Sequence, residues 1–128
     1  MTQRKPIFSI DFDGVLHLYT SGWKGATVIP DPPVPGAIEF LERAVQHFDV
    51  QVYSSRSHWA GGIPAMKHWL ERHARAYYGS SPAWLDLIVW PTEKPAAFVT
   101  LDDRAITFTG TWPNIATLRS FQPWWKKA

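Results

Sequence analysis

The chain has no cysteine among its 128 residues. That removes disulfide bonds and thiolate chemistry from consideration and fits a cytoplasmic protein. It also lacks any apolar stretch long enough to cross a bilayer, so no membrane partner is expected. Two basic residues, Arg4 and Lys5, precede an apolar run, but Asp11 cuts that run too early for a signal-peptide core. Internal repeats and low-complexity tracts are missing as well. Charge of one sign is scarce: the formal net charge is +2 and the pI is near 9.0. The basic residues are scattered over Arg4-Lys5, Arg72-His73-Arg75 and Lys126-Lys127, whereas a nucleic-acid binder usually gathers them on one face. The five histidines include no H-x-x-x-H pair beside an acid, and the spacing of His68 and His73 does not fit one helix face, so no zinc site is expected.

What is abundant is apolar and aromatic. Hydrophobic residues make up 45% of the chain and there are eight tryptophans, enough for one packed domain over residues 1–128. Aromatic side chains at this frequency most often fill a core or an interface, with base stacking the less favoured use.

The pattern along the chain alternates. "PIFSID" (6–11) reads as a buried strand. Residues 15–34 mix β-formers with glycines and prolines and read as a short flap or ordered loop. "PGAIEFLERAVQHF" (35–48) reads as a helix, with Pro35 in its first turn and Ala37, Ile38, Leu41, Ala44, Val45 and Phe48 on one stripe. "DVQVYSS" (49–55) is the next strand. "GIPAMKHWLERHARAYY" (62–78) is a second helix that buries Ile63, Met66, Leu70, Ala74 and Tyr77. "LDLIVW" (85–90) and "AFVTLDD" (97–103) read as further strands, and "AITFTG" (105–110) as an added edge strand. The tail reads as a short helix followed by packed tryptophans. This order implies an α/β, Rossmann-like three-layer sandwich with a mostly parallel central sheet. In such sheets ligands bind at the carboxyl ends of the strands.

The residues at those ends are chemically rich. "SIDFDGVLH" (9–17) closes the first strand with Asp11 and Asp13 on the same face, one residue apart. Side by side, such carboxylates repel and one is pushed towards its neutral form. Ser54-Ser55-Arg56 follows the second strand, and Asp102-Asp103-Arg104 the last, with Lys94 shortly before it. Four carboxylates at one edge call for a divalent cation, and an all-oxygen donor set suits Mg²⁺.

These segments resemble the four motifs of the haloacid dehalogenase superfamily of phosphohydrolases. "DFDGV" is similar to its DxD motif, Ser54 in "VQVYSSR" to its second, Lys94 in "TEKPAA" to its third and "VTLDDRA" to its acidic fourth. The resemblance spans about residues 7 to 106. It implies a phosphorylated substrate and a Mg²⁺-dependent reaction through an aspartyl-phosphate. Asp11 would be the nucleophile and Asp13 the acid and base. Asp11, the Asp13 carbonyl and an acid of the Asp102-Asp103 pair would hold Mg²⁺, with Asp103 favoured as the direct ligand. Ser54 and the N–H groups of Phe12 and Ser55 would hold the phosphate, and Lys94 would offset its charge. Arg56 and Trp23 are candidate substrate contacts. Neither gap between motifs has room for a cap domain, which implies a small capless member with an open site.

Each of these residues also has a plainer reading. The paired aspartates can cap a turn, Ser54 and Ser55 can satisfy a strand end, and Lys94 can be an ordinary surface lysine. Arg56 and Arg104 can form structural ion pairs, the latter more readily. His17 and His58 lie next to motifs and could touch substrate. The competing functional reading is a non-catalytic binding module on the same fold, recognising nucleic-acid ends or a protein partner. Asp11, Asp13, Lys94 and the acidic pair together argue for the enzyme, because a binder does not need all of them.

Overall fold

A computed structural model describes residues 4–126. Its elements are β1 (Ile7–Ile10), α1 (Ala37–His47), β2 (Asp49–Val52), α2 (Gly62–Tyr78), β3 (Val99–Leu101) and α3 (Ile115–Arg119), with 3-10 helices at Ser55–His58 and Ala83–Leu87. The three strands form an all-parallel sheet in the order β2-β1-β3, flanked by helices in the Rossmann-like manner expected.

Register explains how the sheet splits into an apolar and a polar face. Phe8 and Ile10 stand beside Val50 and Val52 on the neighbouring strand, and all four are buried. Ser9 stands beside Gln51 and Thr100, so the intervening positions put polar side chains on the other face. Helix α1 supplies Ala37, Ile38, Leu41, Ala44 and Val45 to the core, the stripe read from its spacing. Phe48 joins this core, with its ring 5.5 Å from that of Phe8. Burying each large side chain of this kind contributes roughly 1.5–3 kcal/mol. The helix starts later than its sequence suggests: Gly36, at φ 88°, is the N-cap and Pro35 lies outside the first turn.

Helix α2 keeps its expected bounds and stops at Gly79, which takes the left-handed conformation at φ 84°. Its buried side differs at two residues. Met66, Leu70 and Ala74 are buried as expected, but Tyr77 is exposed and Trp69 is buried. The stripe advances by four residues per turn and reaches Tyr78, whose hydroxyl donates to Glu42 Oε1 at 2.8 Å. That turns Tyr77 outward, while Trp69 sits three residues past Met66 on the inner side.

Two expected strands are absent. Residues 83–87 form a 3-10 helix, and only Val89 pairs, in an isolated parallel bridge with Gln51. Pro82 and Pro91 bracket this run and leave it too short for a ladder. Residues 105–110 form no strand. Their alternation of Ile106 and Phe108 with threonines has no backbone partner among the described residues, and alternation alone does not create one. The tail forms α3 as expected, yet Trp112 is 84% exposed and Trp124 is 59% exposed. The segment from 105 to 121 therefore stands away from the core instead of packing into it. No helix among the described residues is long and apolar enough to cross a membrane.

Candidate functional site

Parallel pairing brings the motif residues to one edge. Ile10 is level with both Val52 and Leu101, so the chain leaves all three strands side by side. The ladders run one step further: Asp11 N–H donates to Leu101 O at 3.0 Å and Tyr53 N–H to Ile10 O at 3.1 Å. Immediately beyond, Asp11, Asp102 and Asp103 each direct a carboxylate oxygen to a point where all three lie within 4.8 Å of one another. They border a cavity of about 270 Å³ that Asp13, Tyr19, Ser55 and Arg104 complete. A larger groove of about 780 Å³ runs along residues 106–118, but no titratable side chain lines it. The titratable side chains gather at the smaller cavity.

The triad is electrostatically unfavourable by itself. The Asp11 carboxyl is pushed up to about 9, first by burial, then by hydrogen bonding with Asp103 and by repulsion from Asp102 and Asp103. The Phe12 N–H donates to Asp11 Oδ1 at 2.8 Å and pulls the other way, without prevailing. Asp11 therefore holds a proton where a solvated aspartate would have lost it. Asp103 Oδ1 is buried and has no hydrogen-bond partner among the described residues. Such an orphaned acceptor beside two further carboxylates is the arrangement a cation satisfies. Three aspartate side chains can thus hold a metal ion.

Asp13 lines the same cavity as the triad, but its carboxylate is engaged away from it. Both its side-chain oxygens accept hydrogen bonds: Oδ1 from His17 Nδ1 at 2.9 Å and Oδ2 from Arg56 Nε at 2.8 Å. His17 is fully buried, and its Nε2 accepts from the Asp31 N–H at 3.0 Å. That bond fixes the tautomer, because the proton must then sit on Nδ1 and point at Asp13. Arg56 is fully buried too. Its Nη1 donates to the carbonyls of Gly25, Ala26 and Val28, and its guanidinium stacks on Trp23 at 4.9 Å. Arg56 therefore ties Asp13 to the flap, and only Nη2 is left without a partner among the described residues. Trp23 is half-exposed above it.

The remaining candidates are placed as follows. Ser54 is buried and caps the 3-10 helix: its Oγ accepts from the Arg56 N–H at 3.1 Å, and its own N–H donates to Ser57 Oγ. Ser55, next to it, lines the cavity. The Phe12 side chain is buried against Trp69, with ring centroids 5.0 Å apart. Lys94 is exposed and makes no hydrogen bond or ion pair among the described residues, so it is not drawn into the acidic cluster. Asp102 Oδ1 accepts from the Arg104 N–H at 2.7 Å, a turn that presents the acidic pair.

Three contributors went unread in the sequence. Asp31 closes the His17 relay, and its carboxylate accepts two hydrogen bonds from Ser21. Burial pushes its pKa up, but those bonds win and hold it below the usual carboxylate value. Tyr19 lines the cavity with φ 64°, the one left-handed non-glycine residue described. Trp125 donates its indole N–H to Asp103 Oδ2 at 2.6 Å. His17, four residues after Asp13, was a readable signal; nothing local marks Tyr19 or Trp125. No family model, curated protein or solved structure matches the chain.

Proposed function

We propose that the protein is a Mg²⁺-dependent phosphohydrolase of the haloacid dehalogenase type, acting on a phosphate monoester through an aspartyl-phosphate on Asp11. The observation that carries this reading is the convergence of Asp11, Asp102 and Asp103 at the carboxyl ends of adjacent parallel strands. When bound there, Mg²⁺ would neutralise the triad and polarise the phosphoryl group.

The chain's own residues would divide the work. A carboxylate oxygen of Asp11 attacks phosphorus, and the ester oxygen leaves with a proton from Asp13. Asp13 then takes a proton from water, whose oxygen attacks the same phosphorus. Phosphate departs and Asp11 is regenerated. Asp13 is suited to serve both steps because Arg56 and His17 hold it in one orientation beside Asp11. Before it can protonate the leaving group, Asp13 has to take up a proton from solvent and exchange one of those two partners for the ester oxygen. Ser55 and the positive charge of Arg104 border the cavity and would receive the phosphoryl oxygens. Lys94, expected to sit at the phosphate, would have to swing in from the surface.

The test is turnover of p-nitrophenyl phosphate by wild type and Asp11→Asn, with and without Mg²⁺. Hydrolysis that needs the cation and disappears in the variant supports the reading. Turnover surviving in Asp11→Asn rejects it. So does the lack of both turnover and Mg²⁺ binding in wild type, an outcome that leaves the binding module standing.

A further inference from the structure

The far end of the chain returns to the acidic edge. Trp125 Nε1 donates to Asp103 Oδ2 at 2.6 Å, and Trp124 Nε1 donates to the Gly14 carbonyl at 2.6 Å. The Trp125 ring is held from two sides. Tyr19 meets it edge-on at 5.2 Å, and the Arg104 guanidinium lies over it at 5.4 Å. Gly14 makes room for the contact: at φ 81°, a Cβ there would collide with both Asp103 Oδ2 and Trp125 Nε1. The second oxygen of the same carboxylate, Asp103 Oδ1, is buried and unpartnered among the described residues.

We infer that Trp125 is a positioning residue for the cation site, holding Asp103 by Oδ2 so that Oδ1 is left to ligate the cation with Asp11 and Asp102. The inference rests on the proposed Mg²⁺ site for its cation and on the geometry of the tail for everything else. An indole N–H is a donor only, so it can anchor a carboxylate oxygen but cannot serve as a ligand itself. The terminal torsion of an aspartate is otherwise broad, so a fixed donor on Oδ2 narrows the orientations open to the Asp103 carboxylate. Hydrogen bonds to the outer oxygen of a ligating carboxylate orient it, and their loss typically weakens metal affinity by about 10- to 100-fold.

The test is Mn²⁺ and Mg²⁺ titration by calorimetry of wild type, Trp125→Phe and Trp124→Phe, beside their melting curves in chelator. Trp125→Phe keeps an aromatic ring, smaller than the indole, and loses the N–H. It is expected to bind about 10- to 100-fold more weakly, while Trp124→Phe, which releases only a carbonyl, stays within a few-fold of wild type. Trp125→His, which restores a ring N–H, is expected to recover part of the loss. Equal or tighter binding by Trp125→Phe overturns the inference, the latter by showing that the indole obstructs the cation. An equal loss in Trp124→Phe also overturns it, because docking of the tail and not the Asp103 bond would then be responsible. If wild type binds neither cation, the proposed site itself fails. One further readout needs no variant: the Trp125 indole N–H resonance of the wild-type protein is expected to shift with the same Mg²⁺ half-point as the calorimetry. A resonance that stays still through saturation contradicts the inference.

Discussion

Replacing Arg56 by methionine removes the charge from the interior while keeping most of the side chain's length. Arg56 is fully buried and pairs with Asp13, whose side chain is 13% exposed, across 2.8 Å. Breaking a buried pair by deleting one partner typically costs about 3–5 kcal/mol, because the other charge is left uncompensated. Two further effects act in opposite directions. Three flap carbonyls lose their common donor, which adds to the loss, but they can turn to water once the flap lifts. Asp13 also keeps its bond from His17, which limits the loss. The expected net change is therefore about 3–5 kcal/mol, a fall in melting temperature of roughly 10–20 °C for a chain of this size. Calorimetric melting reads the stability. Tryptic cleavage after the exposed Lys24, in the flap, reads the local consequence and should accelerate well below the melting point. Arg56→Lys should fall between, since one ammonium cannot reach Asp13 and the flap carbonyls together. A loss under about 1 kcal/mol, with Lys24 no more accessible, would refute the claim that Arg56 couples the flap to Asp13.

Three other outcomes follow from the same geometry. In chelator, stability should fall as pH rises from about 4 to about 9: the unfolded chain loses the Asp11 proton near its ordinary value of 3.8, while the folded protein keeps it until about 9 and so binds more protons throughout that window. Saturating Mg²⁺ should flatten the slope, and a pH-independent stability in chelator would contradict it. Gly14→Ala should lose more than about 2 kcal/mol in urea unfolding, since it combines a left-handed backbone with the collision against Asp103 and Trp125; a change under about 0.5 kcal/mol would contradict the close approach. The Tyr78 phenol, raised by burial and by Glu42 to about 12, should ionise last in an absorbance titration, and Glu42→Gln should lower it; an unchanged titration in that variant would remove Glu42 as a cause.

The parts of the fold that the sequence revealed are those where local pattern and tertiary demand coincide. The stripe of α1 and the buried run of β1 are legible because the residues that favour the element also face the core. Asp11, Asp13, Asp102 and Asp103 were legible because each closes an apolar run, and parallel topology then places such ends together. Residues 85–90 and 105–110 were misread because apolar runs and alternation report side-chain burial and say nothing about whether a neighbouring backbone is within reach. Arg56 was readable as important but not in its use: only the folded flap shows three carbonyls gathered around one guanidinium. Trp125 was beyond reach, since its partner lies 22 residues away and no periodicity links them. Lys94 shows the converse, a residue recognised by its neighbours in sequence whose side chain stays outside the cluster.

The central claim is that Asp11 carries the phosphoryl group. Asp13→Asn should trap it with p-nitrophenyl phosphate, whose leaving group departs without an acid while the second step loses its base. Quenching that variant with borohydride reduces an acyl phosphate to an alcohol, and peptide sequencing then reads the modified position. The account predicts homoserine at position 11, only when Mg²⁺ and substrate are both present. Release of p-nitrophenol with position 11 still aspartate, or with another carboxylate reduced in its place, would contradict it.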